Sequence, residues 1–329
     1  MKSYKHLPLP KVVRIEPAGK CNLSCIHCPT GTVEMPRGIM DYDTFELIFN
    51  EIKQAISVKV IVLYHGGEPL LNKNFFNMVE LIKKHRPDMF VKTVSNGNIL
   101  TENTIDKIIK SNINMIEFSL DGLSINENNN VRVKCNGEKV LKSIKKLIEK
   151  RNLKKCKQRT KIYISSTQFL RNKEEVANIK NAKCPDYISN VIPLGYNGVD
   201  GYKINYAMVW PHMGNVQNKF IIYSDNKSTN NKINKCDMLD STITVRWNGD
   251  VVPCCYDLTS KLIMGNVKNS MLIDIWNNNK YNVLRSSIAN KKHISICKKC
   301  SVVNNKRYLI PKWESKSVTK NKNYEYQNV

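Results

Sequence analysis

The chain has 329 residues, of which 41% are hydrophobic and 24% charged, and its formal net charge is +24. This composition is typical of a soluble globular protein with one large core, or with one α/β domain and a smaller domain beside it. No apolar run follows the first lysines and no stretch is long enough for a membrane helix, so we expect a cytoplasmic protein without a membrane partner.

The basic residues are scattered among asparagines and isoleucines, without a concentrated arm or an aromatic–basic stripe. This distribution argues against a nucleic-acid partner. It is explained either by a compositional bias of the whole chain or by an anionic substrate.

Apolar segments alternate with amphipathic ones from residue 12 to residue 193. Strands are predicted at 12–16, 58–64, 90–95, 115–120, 162–168 and 187–193. Helices are predicted between them, around 45–52, 76–84, 102–110, 138–151 and 174–180. This alternation predicts parallel βα units, whose strand ends meet at one edge of the sheet.

Three cysteines follow the first predicted strand, at Cys21, Cys25 and Cys28. A [4Fe–4S] cluster normally takes four thiolates, so three leave one iron without a protein ligand. Catalytic zinc sites likewise keep one coordination position free of protein ligands, whereas structural zinc sites do not. The spacing therefore predicts a catalytic iron–sulfur site, with a zinc knuckle or unrelated thiols as the alternative.

Glycines and hydrogen-bonding side chains follow the next three predicted strands. The residues are Gly66, Gly67 and Glu68, then Ser95 and Asn96, and then Ser119 and Asp121. Each group alone would mark only a turn. Their recurrence at successive strand ends predicts a ligand-binding edge.

A second set of cysteines lies near the carboxyl end, at Cys236, Cys254, Cys297 and Cys300. Asn248-Gly249 predicts a type I′ hairpin between strands at 243–247 and 250–252, and a helix is predicted at 272–288. Four thiolates could close a cubane, and zinc would accept the same four. Cys255 has no spaced partner and is interpreted as an ordinary thiol.

The CxxxCxxC motif together with the Gly-Gly-Glu-Pro segment at 66–69 resembles the radical S-adenosylmethionine (SAM) superfamily. The resemblance implies a partial (βα)6 TIM-like barrel, a [4Fe–4S] cluster on three cysteines, and SAM bound at the open iron. It implies that His27 lies beside the adenine and that the 66–69 backbone receives the methionine amino group. The cofactor-binding residues that it implies are His27, Gly66, Gly67, Glu68, Ser95, Asn96, Ser119, Asp121 and Arg132.

The second cysteine set resembles the SPASM/Twitch extension of the same superfamily, in its shorter form with one auxiliary [4Fe–4S] cluster on four cysteines. The glycine spacing of that extension favours Cys254 over Cys255 as the ligand. This implies a small C-terminal Twitch-type iron–sulfur domain. The expected domains are a radical SAM core (1–194), an irregular connecting or substrate-capping segment (195–235), the auxiliary cluster domain (236–303) and a polar tail (304–329).

The resemblance implies a radical SAM oxidoreductase that cleaves SAM to a 5′-deoxyadenosyl radical and removes a substrate hydrogen. One auxiliary cluster on a short chain is most similar to the aminocyclitol (2-deoxy-scyllo-inosamine) dehydrogenases, which favours a two-electron oxidation of a small polar, sugar-like substrate. The alternative is a maturase that modifies a peptide or protein side chain. The expected partners are a small-molecule or peptide substrate and a flavodoxin- or ferredoxin-type reductant. No catalytic base is assigned; Tyr196, His212 and Asp257 are candidates by position only.

Overall fold

Six parallel strands alternate with helices in the main sheet, which is the arrangement of a partial TIM barrel and confirms the predicted fold class. The computed structural model describes residues 6–153, 159–213, 216, 218–224 and 234–313. The strands are β1 (Val12–Ile15), β2 (Val60–Leu63), β3 (Phe90–Ser95), β4 (Met115–Ser119), β5 (Lys161–Gln168) and β6 (Gly201–Tyr206). The helices up to β6 are α1 (Pro29–Thr32), α2 (Tyr42–Ile52), α3 (Phe75–His85), α4 (Glu102–Lys110), α5 (Ile125–Val131), α6 (Gly137–Leu153) and α7 (Asp186–Ser189). No helix in the described ranges is long and apolar enough to cross a membrane.

The two faces of the barrel strands differ in chemistry. Side chains such as Ile61 and Phe118 are fully buried and belong to the core that the helices cover. The alternate positions face the barrel interior and include charged residues, among them Lys92 and Glu117. Successive strand residues point to opposite faces, so these sequences alternate between apolar and charged side chains.

The sixth strand is not where the sequence predicts it. The predicted strand at 187–193 is wrong, because this stretch holds the short helix α7, and Ile188 and Ile192 are buried at helical spacing. Strand β6 instead pairs with β5 at 201–206, past the predicted boundary at 194. Its Lys203 faces the interior, so the segment lacks the apolar run that a buried strand would show.

The capping segment and the tail contribute a second sheet. Strand β7 (Phe220–Ser224) pairs antiparallel with β11 (Arg307–Pro311). The prediction that 195–235 is irregular is therefore wrong for β6 and β7, and the polar tail begins with a strand. Residues 225–233 of the segment and 314–329 of the tail lie outside the described residues.

The predicted hairpin is present as β8 (Thr242–Val245) and β9 (Asp250–Val252), but its turn is not type I′. That turn would need a left-handed backbone at both Asn248 and Gly249, and of the two only Gly249 has one (φ +90°). Gly249 N donates to Arg246 O at 2.9 Å, and Arg246 N donates to Asp250 O at 2.7 Å. The loop therefore has three residues and ends on a left-handed glycine.

The hairpin extends the barrel sheet. Strand β8 pairs parallel with β1, with Val12 opposite Thr242 and Ile15 opposite Val245, and the short β10 (Gly265–Asn266) adds beyond β9. The hairpin, which lies between Cys236 and Cys254, is thus joined to the barrel by backbone hydrogen bonds.

The helices around the hairpin differ from the prediction in one detail. Helix α8 (Asp237–Ser241) precedes β8, and the predicted helix at 272–288 is two helices, α9 (Leu272–Asn277) and α10 (Asn279–Ala289). The break occurs because Asn278 caps α10, its side-chain oxygen accepting from Tyr281 N at 3.0 Å.

A buried carboxylate, Glu16, joins the hairpin to the barrel. One oxygen accepts from Gly66 N at 2.7 Å, and the other accepts from Arg246 Nε at 2.8 Å and Trp247 N at 3.1 Å. Burial alone would raise the pKa of Glu16, but the His65 ring, whose Nδ1 is 3.3 Å from Oε1, and the Arg246 guanidinium outweigh it, so the pKa lies well below its ordinary value of 4.5. Glu16 is therefore charged in the folded protein.

Replacing Glu16 with Gln should lower the free energy of unfolding by about 3–5 kcal/mol, because it leaves the buried Arg246 without its counter-charge. The wild-type stability that depends on this carboxylate is present above pH 4.5 and decreases as the pH falls from there toward the depressed folded pKa. Anaerobic denaturant unfolding of wild type and E16Q at neutral and acidic pH measures both effects.

Asp88→Asn is the matched control, since Asp88 pairs with Arg86 at 2.8 Å but lies at the surface, where solvent screens the pair. It should change the unfolding midpoint little. Equal midpoints for E16Q and D88N at neutral pH would contradict the role assigned to Glu16.

Candidate functional site

One cavity of about 480 Å³ opens at the carboxyl ends of the barrel strands, where the sequence predicts a ligand-binding edge. It is lined by residues within or just after each of the six barrel strands and by two residues of the segment after β9, Tyr256 and Leu258. Its size lies in the range of about 300–1,000 Å³ that is usual for small-molecule and cofactor sites. Among the predicted cofactor residues and the first cysteine set, those that line it are Cys21, Cys25, His27, Cys28, Gly66, Gly67, Glu68, Ser95, Asn96, Ser119, Asp121 and Arg132.

The first cysteine loop is fixed by backbone hydrogen bonds. Ser24 N and Ile26 N donate to Val133 O and Val131 O, so the loop lies along the segment at the end of α5. Burial raises the pKa of Cys25 to about 12; Arg132 opposes this rise, and the thiols of Cys28 and Cys21 add to it.

The sulfur atoms of this loop have the environment of cluster ligands. Leu23 N donates to Cys21 Sγ at 3.4 Å, and Asn96 Nδ2 donates to it at 3.7 Å. Such hydrogen bonds are among the features that tune iron–sulfur sites, and iron binding replaces the thiol protons. The three thiols therefore fit a cluster with one open iron.

Glu68 connects the loops after β2 and β3. Its two oxygens accept from Ser95 Oγ at 2.9 Å and Asn96 N at 2.7 Å, and its side chain also accepts from Leu70 N at 3.1 Å. Burial raises its pKa, although these hydrogen bonds oppose the rise. The carboxylate thus holds Ser95 and Asn96 at the cavity wall.

Gly67 allows two loops to approach each other. A Cβ atom at this position would lie 2.3 Å from the carbonyl oxygens of Ala18 and Lys20. The glycine is therefore needed for contact with the cysteine loop itself. Gly66 O, in addition, accepts a short hydrogen bond from Thr30 Oγ1.

Asp121 organises the opposite wall of the cavity. Its Oδ2 lies 2.7 Å from Arg132 Nη1 and 3.3 Å from His27 Nε2, while its Oδ1 accepts from Thr167 N at 2.9 Å. Burial would raise the pKa of Asp121, but the Arg132 guanidinium and then the His27 ring hold it well below its usual range. The charged carboxylate therefore fixes both side chains.

Two polar atoms of this wall remain available to a ligand. His27 Nδ1 and Arg132 Nε are buried and have no hydrogen-bond partner among the described residues. His27 also packs edge-on against Phe169, with ring centroids 5.4 Å apart. An aromatic contact beside a guanidinium donor fits a cofactor that carries both a heteroaromatic ring and a carboxylate, as SAM does.

The sequence did not indicate several polar residues that the structure brings to this region. Ser165 lies beside Ser119 in register on the neighbouring strand, and both line the cavity. Glu117 also lines the cavity and forms an ion pair with Lys203 of β6. The one available signal is a charged residue within a strand, since a strand buried on both faces would be continuously apolar.

The three suggested bases do not line the cavity. Tyr196 is 68% exposed and lies beside Arg159, and His212 is exposed as well. Asp257 is buried, but its carboxylate accepts from Lys261 N and Leu262 N, each at 2.9 Å. The segment at 205–210, by contrast, lines the cavity along its whole length.

The cysteines of the second set lie near enough to influence one another electrostatically. Cys236 precedes α8, Cys254 follows β9, and Cys297 and Cys300 lie at the 3-10 helix Ser295–Lys299. Burial raises the pKa of Cys297 to about 12, and the nearby thiols of Cys300 and Cys236 add to this rise. Burial also raises the pKa of Cys254, with further contributions from Cys255, Cys297 and Cys300.

Cys297 and Cys300 also lie in surroundings typical of cluster ligands. Val302 N donates to Cys300 Sγ at 3.4 Å, and Asn304 Nδ2 holds the Cys297 and Cys300 carbonyls. Within the described parts of the chain, no three His, Cys, Asp or Glu side chains converge as ligands of a single metal ion would. The thiolates of a cubane bind different irons and do not need to converge on one point.

Comparisons with known proteins agree with this arrangement. The Radical SAM superfamily profile matches residues 15–159, and the profile of the SPASM iron–sulfur cluster-binding domain matches residues 236–301. The tungsten-containing aldehyde ferredoxin oxidoreductase cofactor-modifying protein of Pyrococcus furiosus is 24% identical over 315 residues, covering 89% of this chain and 87% of its own. The SAM-dependent 2-deoxy-scyllo-inosamine dehydrogenase of Niallia circulans is 20% identical over 296 residues, covering 89% and 93%.

A solved structure has the same fold over most of its length. Native anSMEcpe with bound AdoMet and Cp18Cys peptide has a TM-score of 0.59 and 17% identity, covering 89% of this chain and 86% of its own. The two profiles establish the family, and this likeness shows that the fold is shared. The chain belongs to the radical SAM superfamily, in its SPASM/Twitch group, and is a radical SAM enzyme whose cofactors are [4Fe–4S] clusters and S-adenosyl-L-methionine.

Proposed function

We propose that this enzyme catalyses a two-electron oxidation of a C–H bond in a small polar, sugar-like substrate, with an auxiliary cluster as electron acceptor. The observation that carries the proposal is that the segment after Cys254 reaches the wall of the first cavity. Tyr256, which directly follows Cys254 and Cys255, lines the same cavity as Cys21, Cys25 and Cys28. A substrate in this cavity would lie beside the first cysteine loop and beside the segment that follows Cys254.

The ligands follow from the thiols described above. Cys21, Cys25 and Cys28 would hold the SAM-binding cluster, and Cys236, Cys254, Cys297 and Cys300 the auxiliary one. When bound, the first cluster and SAM supply the 5′-deoxyadenosyl radical that removes hydrogen, and the second cluster supplies an electron acceptor. The chain itself binds and orients the substrate and excludes water from the cavity.

Glu117 is the side chain best placed to receive the substrate proton. Oxidation of an alcohol carbon to a carbonyl removes a hydrogen atom from carbon, a proton from oxygen and an electron. The other cavity carboxylates, Glu68 and Asp121, are held by loop amides and by Arg132. Glu117 is held by Lys203 alone among the described ion pairs, and it lines the cavity floor. It lies within a strand, which favours a fixed position for a general base.

The reductant for the first cluster is proposed to be an acidic protein of the flavodoxin or ferredoxin type. The net charge of +24 would accelerate its encounter with this enzyme by long-range attraction. The alternative function, modification of a peptide or protein side chain, differs in substrate but uses the same two cysteine sets.

Metal analysis tests the two sites first. Anaerobically reconstituted protein should hold about eight irons, and replacing Cys21, Cys25 and Cys28 with Ala should leave about four, because each cubane holds about four. Iron assay with visible absorbance measures this, and the free thiol variant Cys184→Ala is the control. One equivalent of zinc and no visible absorbance in the triple variant would refute the auxiliary cluster.

A second experiment separates the roles of the two clusters. Cys297→Ala with Cys300→Ala should still form 5′-deoxyadenosine from SAM and dithionite, because the first cysteine loop is intact. With a true substrate, this variant should not form the oxidised product. Full turnover by a variant that holds only about four irons would disprove the electron-acceptor role.

The reaction class is tested with a substrate deuterated at the reacting carbon, using 2-deoxy-scyllo-inosamine as the first probe. Oxidation predicts deuterium in 5′-deoxyadenosine and a product lighter by two hydrogens. Glu117→Gln should still transfer deuterium but form less product, whereas Glu117→Asp should restore part of it. Return of deuterium to the product with regeneration of SAM would indicate a rearrangement and exclude the proposed oxidation.

If the sugar-like probe is not turned over, the peptide alternative is tested directly. Product mass then decides between the two, since a maturase changes the mass of a peptide and leaves the sugar unchanged.

A further inference from the structure

Arg14 is a buried cation in the barrel interior that the proposed reaction does not use. It lies in the middle of β1 and is 8% exposed. Its guanidinium carbon is 4.9 Å from the ring centroid of Tyr64, which lines the cavity. Its Nε has no hydrogen-bond partner among the described residues. A guanidinium in this position is largely removed from water.

The nearby carboxylates are already paired with other cations. Glu16 binds Arg246, Glu117 binds Lys203, and Asp121 binds Arg132. A buried charge without a counter-charge is costly, so Arg14 requires another source of negative charge.

The segment that leads to the auxiliary Cys254 lies beside Arg14, and Cys254 would be a negative thiolate as a cluster ligand. Arg14 lies opposite Thr244 of β8, and Thr244 lies opposite Val252, two residues before Cys254. The Cys255 carbonyl is 3.3 Å from Nε2 of His65, the residue after Tyr64. Burial would lower the pKa of Arg14, but Tyr64 and the Cys255 and Cys254 groups outweigh it and raise the pKa.

We propose that Arg14 raises the reduction potential of the auxiliary cluster, as the positive charge that the barrel places beside it. A four-thiolate cubane is anionic and gains one negative charge on reduction, so a fixed nearby cation stabilises the reduced form more than the oxidised form. Net charge near the cluster is one of the levers that set such potentials. Arg14 thereby favours electron transfer toward the auxiliary site.

The inference rests on the auxiliary cluster of the proposed function but not on the substrate or the reaction. The reduction potential is measured without substrate. A failed oxidation assay and an unchanged potential are therefore separate results.

The test is an anaerobic redox titration of the reconstituted full chain, followed by EPR. A background with Cys21, Cys25 and Cys28 replaced by Ala isolates the auxiliary signal, and wild type is titrated in parallel. Arg14→Gln should shift the auxiliary potential to more negative values. Arg14→Lys keeps the charge and should shift it less.

Arg159→Gln is the matched control. Arg159 also stacks on a tyrosine, with its guanidinium carbon 4.7 Å from the Tyr196 ring centroid, but Tyr196 does not line the cavity. Its removal changes the total charge equally and should leave the potential unchanged. Equal potentials for R14Q and R159Q, with iron content and absorbance intact, would overturn the proposal.

A second pair of variants covers the case in which R14Q does not hold iron. Thr244 is buried beside Arg14 and its Oγ1 has no partner among the described residues. Thr244→Asp would pair with Arg14 and cancel its charge, so the potential should again become more negative, whereas the isosteric Thr244→Val should not change it. Identical potentials for T244D and T244V would also overturn the proposal.

Discussion

The buried carboxylate of Glu16 is the contact on which the relative position of the two cysteine sites depends. It holds the loop that lies over the first site through Gly66, and it holds the hairpin that leads to the second site through Arg246. Buried ion pairs contribute little net stability compared with apolar packing, but an unmatched partner is strongly unfavourable. The pair therefore selects one way of docking the hairpin against β1 and disfavours others.

The barrel reverses the usual distribution of polarity in a small domain. Its apolar core lies outside the sheet, under the helices, and contains residues such as Ile61, Ile116 and Phe118. Stability is thus supplied by the outer face, because hydrophobic burial is proportional to the apolar area removed from water. The inner face is consequently free to carry charges, and it carries Arg14, Lys92 and the Glu117–Lys203 pair.

Lys92 shows what this inner environment does to a charge. Burial and then the neighbouring Lys203 lower its pKa, while Glu117 opposes them. The interior therefore has more positive than negative side chains around the floor of the cavity. A bound cluster or substrate with negative charge is favoured there over a cationic one.

Local patterns were sufficient for β1 to β5 and for α2, α3, α4 and α6, since these have apolar outer faces and clear caps such as Asp41. The short helices α1 and α5 were not predicted. The strand-end pattern and the family resemblance predicted many, but not all, of the residues that line the cavity. Strand β6 was missed because Lys203 interrupts it, and Glu117 was missed because one acidic residue in a strand carries no distinctive pattern.

The pairing of β8 with β1 could not be predicted, because parallel pairing between distant segments leaves no local signal in either strand. The hairpin was visible from Asn248-Gly249, but its turn type depends on the backbone of Asn248 in the folded chain. The break at Asn278 follows from a side-chain cap that a helical apolar pattern does not reveal.

The same pairing has a consequence for how the protein is made. The contact between Glu16 and Arg246 spans 230 positions of the chain, so the edge of β1 has no partner until most of the polypeptide has left the ribosome. Exposed strand edges associate with other chains, and contacts of such long range form late in folding. A nascent chain that ended before the hairpin would present an open sheet edge, and stalled synthesis is therefore the stage at which this enzyme is most exposed to aggregation.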